Sequence, residues 1–167
     1  MNILFYVAAG VAVVSTLMVI TRLNAVHALL YLVVSLLSAG VIFFALGAPF
    51  VAILEVIIYA GAIMVLFVFV VMMLNLGEPA VQQESQWLHP SMWIGPGVLL
   101  TILLVELVYM LVAGPHQPVG AASIGAKQVG IVLFGPYVLG VELASMLLLA
   151  GLMGAHHLGR RIGRTGG

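Results

Sequence analysis

Apolar residues run along this chain in five long blocks, separated by short stretches rich in polar residues, glycine or proline. The blocks extend from about Asn2 to Thr21, Val26 to Gly47, Phe50 to Leu76, Met92 to Ala113 and Val129 to Leu158. Each reaches the roughly 20 apolar residues that a helix needs to cross a bilayer. The pattern predicts an all-α integral membrane protein of about five transmembrane helices. Residues 1–167 form a single membrane domain on this reading, ending in a basic, glycine-rich flexible tail over 159–167.

Composition strengthens that reading. Hydrophobic residues make up 64% of the chain, charged residues only 6%, and mean hydropathy is +1.30. Soluble domains carry roughly 25% charged residues, so this surface could not be wetted and the lipid bilayer is its solvent. The first block has no Lys or Arg ahead of it, is longer than a signal-peptide core and meets no A-x-A cleavage site, so a permanent span is expected there. The absence of cysteine excludes disulfides, thiolate-held iron–sulfur clusters and Cys-based zinc sites in this chain. Zero formal net charge gives no reason to expect a nucleic-acid partner.

The few charges suggest an orientation. Arg22 follows block one, and Arg160, Arg161 and Arg164 follow block five, while Lys127 alone lies on the opposite side. Lys and Arg favour cytoplasmic loops, which places the amino terminus outside and the carboxyl terminus in the cytoplasm. Gly47-Ala48-Pro49 is so short a link that blocks two and three must be antiparallel neighbours. Trp87 and Trp93 flank the start of block four, as indole rings do at membrane interfaces. Gly114–Lys127 reads as an ordered loop or linker. Blocks four and five open alike, with Ile94-Gly95-Pro96 and Phe134-Gly135-Pro136, but proline tolerance in a first helical turn accounts for both without duplication.

Three glutamates lie inside the blocks, where an ionised carboxylate costs at least a few kcal/mol. Glu55 has Tyr59 at i+4 on the same helix face, an arrangement suited to a proton or water path; the alternative is a helix-end glutamate reaching the interface. Glu142 has Ser145 at i+3 and suits either proton handling or a polar anchor between helices. Glu106, with Tyr109 at i+3, reads as a contact with a polar neighbour or the headgroups. Near the middle of block three, Ala60-Gly61-Ala62 sets three small residues before the bulky run Ile63–Met73. Two readings stand: a notch for close helix packing, or a place where the backbone shifts between α and π geometry.

Other chemistry finds little support. The histidines are dispersed or, at His156 and His157, adjacent and divergent, without metal-binding spacing. No block contains a lysine, so the chain lacks the alternating buried acids and bases of a self-contained proton pump. No loop offers a nucleophile–base pair or a phosphate-binding motif.

Several runs carry a family resemblance. Asn24-Ala25-Val26-His27-Ala28-Leu29-Leu30-Tyr31-Leu32, Leu54-Glu55, the long run Tyr59–Asn75, Phe134-Gly135-Pro136-Tyr137 and Val141–Leu149 resemble the subunit J family of bacterial proton-translocating NADH–quinone oxidoreductase, respiratory complex I. The resemblance covers nearly the whole chain and does not include Glu106 as a signature. It implies a multi-pass subunit of the bacterial inner membrane, set among other small hydrophobic membrane subunits. It implies no cofactor in this chain, with NADH, FMN, iron–sulfur clusters and quinone handled by other subunits. It further implies a π-bulge in span three, marked by Tyr59, Gly61 and Val65, that relaxes to α-helix. Coupling of quinone reduction to proton translocation would pass through this switch, with Glu55, Tyr59 and Glu142 on or beside a water path. The alternatives are a small membrane subunit of a related ion-antiporter or hydrogenase complex, and a scaffold without a proton path.

Overall fold

The computed structural model describes residues 3–74, 90–112 and 124–159. The connection over 75–89, including Trp87, most of the 114–127 linker and the tail over 160–167 lie outside the described residues. Five helical stretches are long and apolar enough to cross a membrane, as the apolar blocks predict, and no strand occurs among the described residues. The chain divides into two compact units, Met1–Ile124 and Gly125–Gly167.

The first unit is built around α2 (Ala25–Ala45), which packs against α1 (Ile3–Thr21), against every part of the third span and against α5 (Ile94–Val112). Its start is fixed locally. Asn24 adopts an extended conformation and its Oδ1 accepts from the His27 N–H at 3.1 Å, capping an otherwise unpaired donor. Its end is a Schellman turn: Gly47 has φ +80°, its N–H reaches the Phe44 carbonyl, and the Ala48 N–H reaches Phe43. Pro49 then opens the third span, in the first turn where its missing N–H costs nothing. The three-residue link therefore reverses the chain tightly, as its composition predicts.

Ala8 and Val11 of α1, Val34 and Val41 of α2 and Leu103 of α5 form the core, with Leu37, Ile42, Leu99 and Met110 against it. Small polar residues bring α1 and α2 together. Ser15 and Ser38 are fully buried, and their hydroxyls donate to the carbonyls of Val11 and Ser35, so neither leaves a free donor. Small side chains permit close approach of helices where lipid supplies no hydrophobic drive between them. Across the same pair the Thr16 and Ser35 hydroxyls lie 2.8 Å apart.

The third span is not one regular helix. It begins as α3 (Pro49–Leu54), continues as a nine-residue π-helix over Glu55–Ile63, and ends as α4 (Met64–Leu74). A single 3-10 turn (Pro90–Trp93) leads into α5, which places Pro96 at the third position of that helix.

The second unit holds α6 (Ala126–Leu133) and α7 (Val138–Gly159). The Gln128 side chain accepts from the Gly125 N–H at 3.0 Å and starts α6. The block expected to run unbroken from Val129 is interrupted by a turn at 134–137. Pro136 has no N–H to continue the ladder, and the Tyr137 N–H instead reaches the Val132 carbonyl. Gly135 is required there, because a Cβ would lie 2.6 Å from the Ile131 carbonyl oxygen. The membrane-length helix of this unit is thus Val138–Gly159.

Candidate functional site

The π-helical segment is the most unusual local structure in the chain, and four of the five residues singled out from sequence, Glu55, Tyr59, Gly61 and Val65, lie in it or beside it. A π-turn closes i→i+5 hydrogen bonds and so accommodates one extra residue, a rare arrangement concentrated at functional sites. Its closing bond here is specific. The Met64 N–H is shared between the carbonyls of Tyr59 and Gly61 rather than pointing at Ala60, as an α-helix requires. Gly61 matters to this geometry: a Cβ at that position would lie 3.3 Å from the Val56 carbonyl oxygen, closer than ordinary contact. The small residues Ala60-Gly61-Ala62 and the π geometry therefore coincide in position.

The segment packs against α2 and is flanked by two buried residues, one at each end. At its start, Ala52 is buried, and Gly40 of α2 lets the third span come close. A Cβ at Gly40 would lie 3.3 Å from Val56 Cγ2 and 3.5 Å from the Ala52 carbonyl oxygen. At its end, Met64 is 2% exposed. None of the nine residues between is buried. Tyr59 is about half exposed and Val65 more so, at 47% and 67%, on a surface continued by Ile57, Leu66 and Phe69. Such a surface is suited to lipid or to neighbouring membrane proteins.

Glu55 stands at the first position of the π-helix, partly exposed. It shares a segment with Tyr59, yet the two side chains form no hydrogen bond with each other among the described residues. Glu142 lies in the second unit, exposed on α7. The Ser145 hydroxyl expected to serve it donates instead to the Glu142 main-chain carbonyl at 2.7 Å.

Two features escaped the sequence reading. His27 and Tyr31 stack at 5.1 Å between ring centroids, and Arg22 sits 5.5 Å from the Tyr31 ring. Tyr31 in turn lies over Gly95, where a Cβ would run into its hydroxyl. This cluster fastens the start of α2 to the start of α5, and explains the glycine of Ile94-Gly95-Pro96. The second is Glu106. It is 5% exposed, and neither carboxylate oxygen has a hydrogen-bond partner among the described residues. Its register with Leu99, Leu103 and Met110, the core-facing positions of α5, was the available signal.

Together these features define a multi-pass helical membrane protein in which one span departs from α geometry between two fixed points. Residues 15–158 match the family described as NADH-ubiquinone/plastoquinone oxidoreductase chain 6, and the chain belongs to that family. It is 60% identical over 162 residues to NADH-quinone oxidoreductase subunit J of Pseudomonas aeruginosa, covering 96% of this chain and 98% of that protein. Identity to subunit J of Escherichia coli K12 is 59% over 160 residues, 96% of this chain and 87% of that one. Subunit J of Buchnera aphidicola from Schizaphis graminum is 51% identical, covering 96% and 98%. The resemblance read from Tyr59–Asn75 and the flanking runs is thus established over nearly the whole chain. With its five apolar helices, the protein is a multi-pass protein of the bacterial inner membrane.

Proposed function

We propose that this chain, a membrane subunit of NADH-quinone oxidoreductase, couples quinone reduction to proton translocation through a change in the geometry of its third span. The observation that carries the proposal is a π-helix of nine residues, none buried, set between the buried residues Ala52 and Met64. Conversion to α-helix moves the Met64 N–H from the Tyr59 carbonyl to that of Ala60. Removing one residue's worth of bulge turns the segment about its axis, so Tyr59, Gly61 and Val65 change the surface they present. The cost is limited because none of the nine residues is buried, and because π hydrogen bonds are exchanged for α ones.

Glu55 enters as the acid at the moving end. With Tyr59 it borders a water path that opens or closes as the segment turns, and Glu142 of the fifth span is a second acid suited to proton handling. With the amino terminus outside, Glu55, Glu106 and Glu142 all fall in the outer half of the membrane. The chain works among the other subunits of the enzyme, and small hydrophobic membrane subunits are its direct neighbours on this reading. On this reading NADH, FMN, iron–sulfur clusters and quinone are handled by other subunits, and the lack of cysteine leaves this chain no thiolate ligands for a cluster.

The test is to fill the notch. Gly61→Val or Gly61→Leu places carbon atoms against the Val56 carbonyl and disfavours the π turn. Quinone reductase activity and proton pumping should both fall while the assembled enzyme persists on native gels. Loss of assembly with unchanged specific activity in the remaining enzyme would instead identify a scaffold.

A further inference from the structure

Outside its own span, the π-helix packs chiefly against α2. One residue there stands between two glycines. Val56, the second residue of the π-helix, sets its Cγ2 over Gly40 of α2, where an added Cβ would lie 3.3 Å away. Its carbonyl oxygen faces Gly61, where an added Cβ would also lie 3.3 Å away. Both distances are shorter than ordinary van der Waals contact, so a methyl group at either glycine requires a neighbour to yield.

Gly40 is buried, and it is the single glycine of α2. Apart from proline, glycine is the poorest residue for a helix interior, because it has the most backbone freedom to lose. The regular α-helical part of the third span does not call for it. From the Ala52 carbonyl oxygen the same Cβ would lie 3.5 Å away, an ordinary contact that an alanine could make. The clearance is needed by Val56, inside the π segment. On conversion from π to α, a carbonyl that accepted from residue i+5 accepts from i+4, which at Val56 means a change from Gly61 to Ala60. Reorienting that peptide group carries the Val56 side chain across the surface of α2. Bare backbone at Gly40 lets it pass, whereas a side chain would stand in its way.

We propose that Gly40 is the bearing on which the third span turns, a positioning residue whose missing side chain lets Val56 move across α2. This rests on the conversion proposed above, but assigns a part in it to a residue of a different span.

Steady-state kinetics of the assembled enzyme in native membranes test this, with rates expressed per enzyme assembled on native gels. Gly40→Val should lower kcat for quinone reduction by about fivefold, a raised barrier. KM for quinone should not change, because a step after binding is slowed. Gly40→Ala should lower kcat by about twofold, and Val56→Ala, which removes Cγ2, should restore it in the double variant. If Gly40→Val does not assemble, the Gly40→Ala pair decides. A residue that only packs would change the amount of enzyme and leave its kcat alone. Unchanged kcat in the Gly40 variants, or a loss that Val56→Ala does not restore, would overturn the proposal. Gly61→Leu, measured alongside, separates the two readings. If its kcat falls while the Gly40 variants keep theirs, the bearing fails and the conversion stands; full kcat in all of them removes the conversion as well.

Discussion

The α1–α2 hairpin and the third span are both apolar and long enough to cross a bilayer, yet they are built on opposite terms. The hairpin is closed by capped ends, by fully buried Ser15 and Ser38, and by the Thr16–Ser35 hydroxyl pair. Its small residues are spent on proximity. In the third span the small residues Ala60-Gly61-Ala62 are not buried against another helix of the first unit, and they coincide with a π-helix. Small side chains therefore do two different jobs in one chain. Where they face a partner helix they tighten packing, and where they do not they lower the cost of leaving α geometry.

Overfilling each region separates these roles. Ser38→Leu, at a fully buried position of α2, should have the largest effect. Overpacking a tight interface costs about 1–3 kcal/mol, and the expected outcome is reduced chain in the membrane and loss of assembled enzyme on native gels. Gly61→Leu should leave assembly in place and lower quinone reductase turnover by about tenfold, a barrier increase of ~1.4 kcal/mol. If the two substitutions act alike, the distinction between a packed and a convertible region fails.

Smaller effects refine the picture. Glu55→Gln should lower the proton-to-electron ratio of assembled membranes, because an amide cannot take up and release a proton at the moving end of the segment. An unchanged ratio and unchanged turnover would remove Glu55 from the path. Thr16→Val deletes the hydroxyl pair with Ser35. Interhelical hydrogen bonds in membranes average about 0.6 kcal/mol, so only a slight decrease in thermal stability in detergent is expected.

Much of this was legible in the residues. The five spans follow from apolar block length, and the tight turn follows from Gly47-Ala48-Pro49, because bilayer thickness and backbone chemistry act locally. The location of the unusual segment was legible as well, at Tyr59-Ala60-Gly61-Ala62. Its extent was not, since a π-helix is a matter of one hydrogen-bond shift that apolar composition does not encode. Depth inside the membrane says which acids are costly but not which are covered. Glu106 read as a contact with a polar neighbour or the headgroups, and its spacing from Leu99 and Leu103 puts it on the core side of α5. Likewise, the glycine and proline shared by the starts of the fourth and fifth blocks have different reasons. Gly95 makes room for the Tyr31 hydroxyl, whereas Gly135 and Pro136 form a turn that interrupts the helix. Each depends on a contact or backbone path that the similar tripeptides do not reveal.

The central claim is that residues 55–63 convert between π and α geometry while their two ends stay fixed. Structures of the assembled enzyme, at rest and under turnover with NADH and quinone, test it at a single hydrogen bond. The Met64 N–H should point to the Tyr59 carbonyl in one state and to the Ala60 carbonyl in the other, with Ala52 still against Gly40 and Met64 still buried. A Met64 N–H that keeps the Tyr59 carbonyl in every state, with Tyr59 and Val65 unmoved, would contradict the account.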